Sequence, residues 1–169
     1  MLLSCLACSH GPPRNFRHAV NNSQSGITLI ELVLVIAIIA VLAAIGVPQY
    51  QGYRDRVDVG HAVTDITVIS TLIKLYETDN RVLPDSLDDV GLGSKLDPWG
   101  HPYQYFNIAT ATGKGQLRKD KSLNPINSDY DLYSMGKDGQ SKTQVNNKVS
   151  LDDVIRARDG QFIGLASDF

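Results

Sequence analysis

Cysteine is nearly missing from this chain: Cys5 and Cys8 are the only two, and both lie close to Met1. One C-x-x-C pair lacks the second half that a zinc site needs. Everything after it must fold without a disulfide, even in an oxidising compartment. Histidine is scarce as well, and only His61 and His101 follow Gly26. No Ser-His-Asp, Cys-His or zinc arrangement stands out, which leaves little basis for a hydrolase. Neither charge sign is in surplus, with 16 basic against 18 acidic side chains, so nothing points to nucleic acid as a partner. The 169 residues leave room for one compact domain and a membrane segment, and not for two full domains.

Charge is also missing locally. Between Ile27 and Val47 the single ionisable side chain is Glu31. At about 1.5 Å per residue such a run makes roughly 30 Å of helix, enough to span a bilayer core. An ordinary anchor or an uncleaved signal would also be apolar, but three details differ. The residues just before the run, Asn21 to Ser25, are polar. The small residue that invites cleavage, Gly26, precedes the apolar run, whereas a secretory signal is cut after it. Glu31 sits inside the run, where a carboxylate costs about 3 kcal/mol unless it finds a partner. Cleavage after Gly26 would place a new α-amino group on Ile27, and the Glu31 carboxylate of one copy can pair with that amine on another. A carboxylate facing a helix bundle, or one held protonated, is the alternative. Pro48, just past Gly46, removes a helical hydrogen bond. It either kinks the rod or marks the end of a membrane helix.

Gly26-Ile27-Thr28-Leu29-Ile30-Glu31-Leu32-Val33 resembles the prepilin signature of type IV pilins and type II secretion pseudopilins. The resemblance implies a leader over 1–26, cut after Gly26 by a membrane peptidase that then methylates Ile27. It implies a transmembrane and assembly helix over 27–48, with Glu31 and Pro48 acting in assembly. It further implies a periplasmic globular domain over 49–169. The fold expected is α+β: a long N-terminal helix packed on a small antiparallel sheet, with a C-terminal metal-binding loop.

Past Pro48 the apolar residues Val59, Ala62, Val63, Ile66, Ile69, Ile73 and Tyr76 recur at spacings of three and four, which predicts one buried helical face. The charges from Arg54 to Asp58 are a solvated face or a contact between subunits. The helix is expected to stop near Asn80, ahead of Leu83-Pro84. Ser86 to Val90 reads as a capped turn. Ala109 to Asn127 reads as an exposed loop or a loosely held hairpin, and its basic residues Lys114, Arg118, Lys119 and Lys121 as solvated. Tyr130 to Ser134 and Phe162 to Leu165 read as strands. Ser-Leu-Asp-Asp-Val occurs twice, from Ser86 and from Ser150. The flanks differ, so the pair reads as coincidence or shared helix-start chemistry and not as a repeat; Asp152 and Asp153 could also open a helix around Val154 to Arg158.

Asp97-Pro98-Trp99-Gly100-His101-Pro102-Tyr103 invites a ligand site but fits a packed aromatic turn. Together with Tyr130-Asp131-Leu132-Tyr133-Ser134-Met135-Gly136-Lys137-Asp138-Gly139, it resembles segments of the major pseudopilins. That resemblance implies calcium bound by Asp138, Asp152 and Asp153 with the Met135 carbonyl. Taken alone, aspartates in a Gly-rich loop are as readily turn formers. The family implies a structural, non-enzymatic subunit of a filament that supports secretion across the outer membrane. Its partners would be copies of itself, other pseudopilins, the prepilin peptidase, the inner-membrane assembly platform and membrane lipid. The chain would cross the inner membrane once. A pilin or minor pilin of a type IV pilus is the alternative within the superfamily. A membrane-anchored hydrolase using its Asp pairs is the alternative outside it.

Overall fold

The computed structural model describes residues 26–113 and 115–169. The expected leader therefore lies outside the described residues except for Gly26. Helix α1, Leu29–Asn80, begins where Thr28 caps it. The Thr28 hydroxyl accepts the Glu31 N–H at 3.3 Å, while the Glu31 carboxylate accepts the Thr28 N–H and O–H, both at 3.0 Å. This reciprocal pair is a capping box, and it satisfies donors that a helix start otherwise leaves open. The helix runs on through Pro48, so that residue is not its end. It stops at Asn80 because Arg81 turns left-handed, with φ 65°, and returns its N–H to the Glu77 carbonyl at 2.8 Å. Pro84 follows soon after and could not continue it.

The chain divides into two units, up to Ala43 and from Ala44 to Phe169. In the second, four strands form an antiparallel meander: β1 Gln104–Asn107, β2 Tyr130–Ser134, β3 Val154–Ala157 and β4 Phe162–Leu165. β2 and β4 fall where the alternation placed them. α1 presents Ala62, Ile66, Ile69 and Ile73, all without solvent exposure, to Leu87, Tyr103, Tyr130, Leu132 and Val154. The 4-3-4 spacing is what keeps these four on one stripe. The opposite face of the sheet carries Ile155 and Ala157, which pack with Ile126, Val145 and Ala166. Neighbouring residues of one strand, Val154 and Ile155, thus serve two cores, as a two-residue period requires.

Two expectations are corrected here. Val154 to Ala157 is no helix: β3 occupies it, paired with β2 and β4, and Arg158 opens a short 3-10 turn. The identical pentapeptide at Ser86 does make a capped 3-10 turn, Leu87–Val90, in which the Asp89 carboxylate accepts the Ser86 N–H at 2.9 Å. The stretch after Ala109 is hairpin-like where Lys119 bridges Pro125, but it is not exposed throughout. Leu117, Arg118, Ile126 and Asn127 are buried. Lys119 makes bridges to Pro125 and Gln144, so part of this segment belongs to the layer over the second sheet face.

Candidate functional site: the apolar helix and the C-terminal loop

Every large apolar side chain from Ile27 to Val47 is at least 50% exposed. By length and composition this part of α1 can cross a membrane. Water is a poor solvent for such a surface, which needs lipid or other helices around it. Gly26 and Ile27 precede the first turn, and both are exposed. Glu31 is the one charge on this surface, and its carboxylate is folded back onto Thr28. The capping role of Glu31 was readable in Thr28-Leu29-Ile30-Glu31, a Ser/Thr-x-x-Glu pattern ahead of an apolar run.

In the second unit, the turn from Asp97 is clamped to the loop after β2. The Asp97 carboxylate is buried and accepts the Trp99 and His101 N–H groups and the Ser134 hydroxyl. His101 Nδ1 lies 3.1 Å from the Gly136 carbonyl. Trp99 packs on the core, which makes this run an aromatic turn. Gly136 has φ 65°, and a Cβ there would lie 2.3 Å from the Asp152 carbonyl. Only glycine lets the two halves of the loop meet so closely.

The four expected calcium donors are only partly brought together. The Asp138 N–H donates to Asp152 Oδ2 at 3.1 Å, which joins those two segments. Asp138 Oδ1 accepts the Gln140 N–H at 2.8 Å. Asp153 turns inward instead: its Oδ2 accepts from Arg118 Nη2 and from the Ser141 hydroxyl, both at 2.6 Å. Its Oδ1 is buried without a partner. Burial pushes the Asp153 carboxyl up, against the pull of Ser141 and Arg118, and the nearby Asp152 charge adds to the rise. Among the described residues no three His, Cys, Asp or Glu groups converge as a metal cluster. Calcium takes six to eight oxygens. These side chains do not fit that ion as a set, since the most buried of them is already paired with a guanidinium.

Arg118 is the residue that sequence reasoning missed. Its side chain is 4% exposed, its guanidinium lies 3.9 Å from the Tyr133 ring centroid, and its N–H donates to Asp131 Oδ2 at 2.8 Å. Nothing in the local sequence, with Lys119 and Lys121 close by, marks it out from the lysines. A second internal arginine, Arg156, is paired with Asp129 at 2.7 Å and lies over the Tyr130 ring at 4.0 Å.

An exposed apolar helix opened by a Thr-x-x-Glu cap, joined to a small sheet domain, defines a pilin-like class of protein. Comparison with known sequences agrees. The prokaryotic N-terminal methylation motif matches residues 21–47. The type II secretion system core protein G of Pseudomonas aeruginosa is 33% identical over 138 residues, covering 69% of this chain and 86% of that protein. Its counterpart in Aeromonas hydrophila is 31% identical over 141 residues, covering 71% and 87%. A fimbrial protein of Neisseria meningitidis is 27% identical over 141 residues, covering 83% of each. No solved structure gives a significant match. The chain belongs to the type II secretion system core protein G family, the major pseudopilins.

Proposed function

We propose that this chain is the major structural subunit of a type II secretion pseudopilus, polymerising through the first part of α1 to support secretion across the outer membrane. One observation carries the reading: an apolar helical surface, exposed from Ile27 to Val47, that bears one carboxylate near its start. A prepilin peptidase cuts after Gly26 and methylates Ile27, a reading that the N-terminal methylation motif over residues 21–47 supports. The new amine of one subunit then draws Glu31 of its neighbour out of the Thr28 cap, because a buried carboxylate gains more from a full positive charge than from neutral donors. Pro48, which has no N–H to give the helix, is the weak point at which α1 can adjust as subunits pack.

Before assembly the subunit crosses the inner membrane once, in contact with lipid, with residues 49–169 in the periplasm. Its partners are copies of itself, other pseudopilins and the inner-membrane assembly platform. The role is structural and not catalytic. Asp131 and Asp153, the most buried carboxylates, are held by hydrogen bonds and an ion pair inside the fold. The fimbrial relative supports a second reading, a pilin of a type IV pilus. The region after Gly26 has no cysteine with which to close the C-terminal loop that such pilins often carry.

Glu31→Leu tests the assembly mechanism. In cells lacking the native copy, the variant is expected to enter the membrane at normal levels yet yield no crosslinkable multimers and no secretion. Multimers and secretion at parental levels would overturn it.

A further inference from the structure

The two copies of Ser-Leu-Asp-Asp-Val show what governs the C-terminal loop. In the first, Asp89 closes back on the Ser86 N–H and a helical turn forms. In the second, the corresponding Asp153 is held by Arg118 and Ser141, and the Ser150 hydroxyl accepts the Lys142 N–H at 2.8 Å. With both capping groups engaged elsewhere, the chain enters β3 instead of a helix.

We infer that the Arg118 guanidinium supplies, from within the fold, the positive charge that calcium would bring to this loop, so that the loop closes without a metal. Arg118 joins three separate segments. Its N–H holds Asp131 at the base of β2, its Nη1 donates to Ser141 at 2.6 Å, and its Nη2 holds Asp153 just before β3. The Ser141 hydroxyl donates in turn to Asp153 Oδ2, which closes a triangle of three hydrogen bonds. Tyr133 lies beneath the guanidinium, in a cation–π contact that favours charge already removed from water. A calcium ion on the free Asp153 Oδ1 would stand beside a guanidinium bonded to the other oxygen of the same carboxylate, and like charges at that range repel strongly in a buried site. Asp138 and Asp152 each already have one carboxylate oxygen bonded to a backbone N–H. Nine residues, Ser141 to Val149, separate the Asp138 turn from the second pentapeptide, and Ser141, the first of them, is the one that touches Arg118.

The test uses the full chain purified in detergent, melted by circular dichroism with millimolar calcium and with excess chelator. The two midpoints are expected to coincide, and a midpoint raised by calcium overturns the inference. Arg118→Met strands the Asp153 charge and is expected to lower Tm by roughly 10 °C. Adding Asp153→Asn to that variant removes the stranded charge and recovers part of the loss. A double variant no more stable than Arg118→Met overturns the inference, because the ion pair would then not be what Arg118 provides. If Arg118→Met does not fold, the calcium comparison on the parent chain decides alone. These melts report on the loop and not on assembly, so they stand or fall separately from the pseudopilus reading.

Discussion

Shortening Ile69 to alanine tests whether α1 is fastened to the sheet through the stripe described above. Ile69 has no solvent exposure and lies between Ile66 and Ile73 in the first core cluster. The substitution removes three methyl or methylene groups, which at about 0.8 kcal/mol each is a transfer loss of about 2.4 kcal/mol. The cavity left behind brings the total to roughly 2–5 kcal/mol. Domains of this kind have about 5–15 kcal/mol in all, so Tm should fall by roughly 10 °C. Val68, the preceding residue, is 50% exposed and provides the control. Val68→Ala should change stability by no more than about 0.5 kcal/mol. Thermal unfolding of both variants, purified in detergent and followed by circular dichroism, gives the comparison. If the two melt together, α1 is not held by this face and the fold described here is wrong.

Burial raises the Asp131 carboxyl, despite the Arg118 and Asn127 donors that pull it down. The folded chain thus holds that proton more tightly than the unfolded one. The associated stability is full below about pH 4 and is lost as pH rises through the folded pKa. The urea midpoint of the parent should therefore fall relative to that of Asp131→Asn as pH increases from about 4 to about 7, whereas a constant difference would contradict the burial argument. Gly136→Ala meets both a left-handed φ and the Asp152 carbonyl, and should cost about 2 kcal/mol or more in thermal melts. Gly60→Ala, inside α1 with nothing within 4 Å of the added Cβ, should instead gain up to about 1 kcal/mol.

Much of the fold is legible because periodicity reports burial. The stripe Ala62, Ile66, Ile69, Ile73 and the strands at Tyr130 and Phe162 carry their own patterns, and Leu83-Pro84 marks where α1 has to end. The apolar run is legible for a different reason: one charge among so many aliphatic residues has few physical explanations. The C-terminal loop is not legible. Two identical pentapeptides, at Ser86 and Ser150, adopt different structures because partners distant in sequence, Arg118 and Lys142, take the groups that cap the first copy. Local propensity cannot see a contact across 35 residues, the separation of Arg118 from Asp153. An arginine among lysines in a polar stretch likewise carries no local mark of burial. Pro48 shows the limit from the other side: it weakens a helix without ending it, and α1 continues for 32 residues to Asn80.

If the chain assembles as proposed, its exposed apolar helix becomes a filament element only after cleavage behind Gly26. Intact-mass measurement on the protein taken from its own cells tests this most directly. A species beginning at Ile27 and carrying one added methyl group is the expected result. A species that still carries Gly26 and the residues before it, while secretion proceeds, would contradict the account.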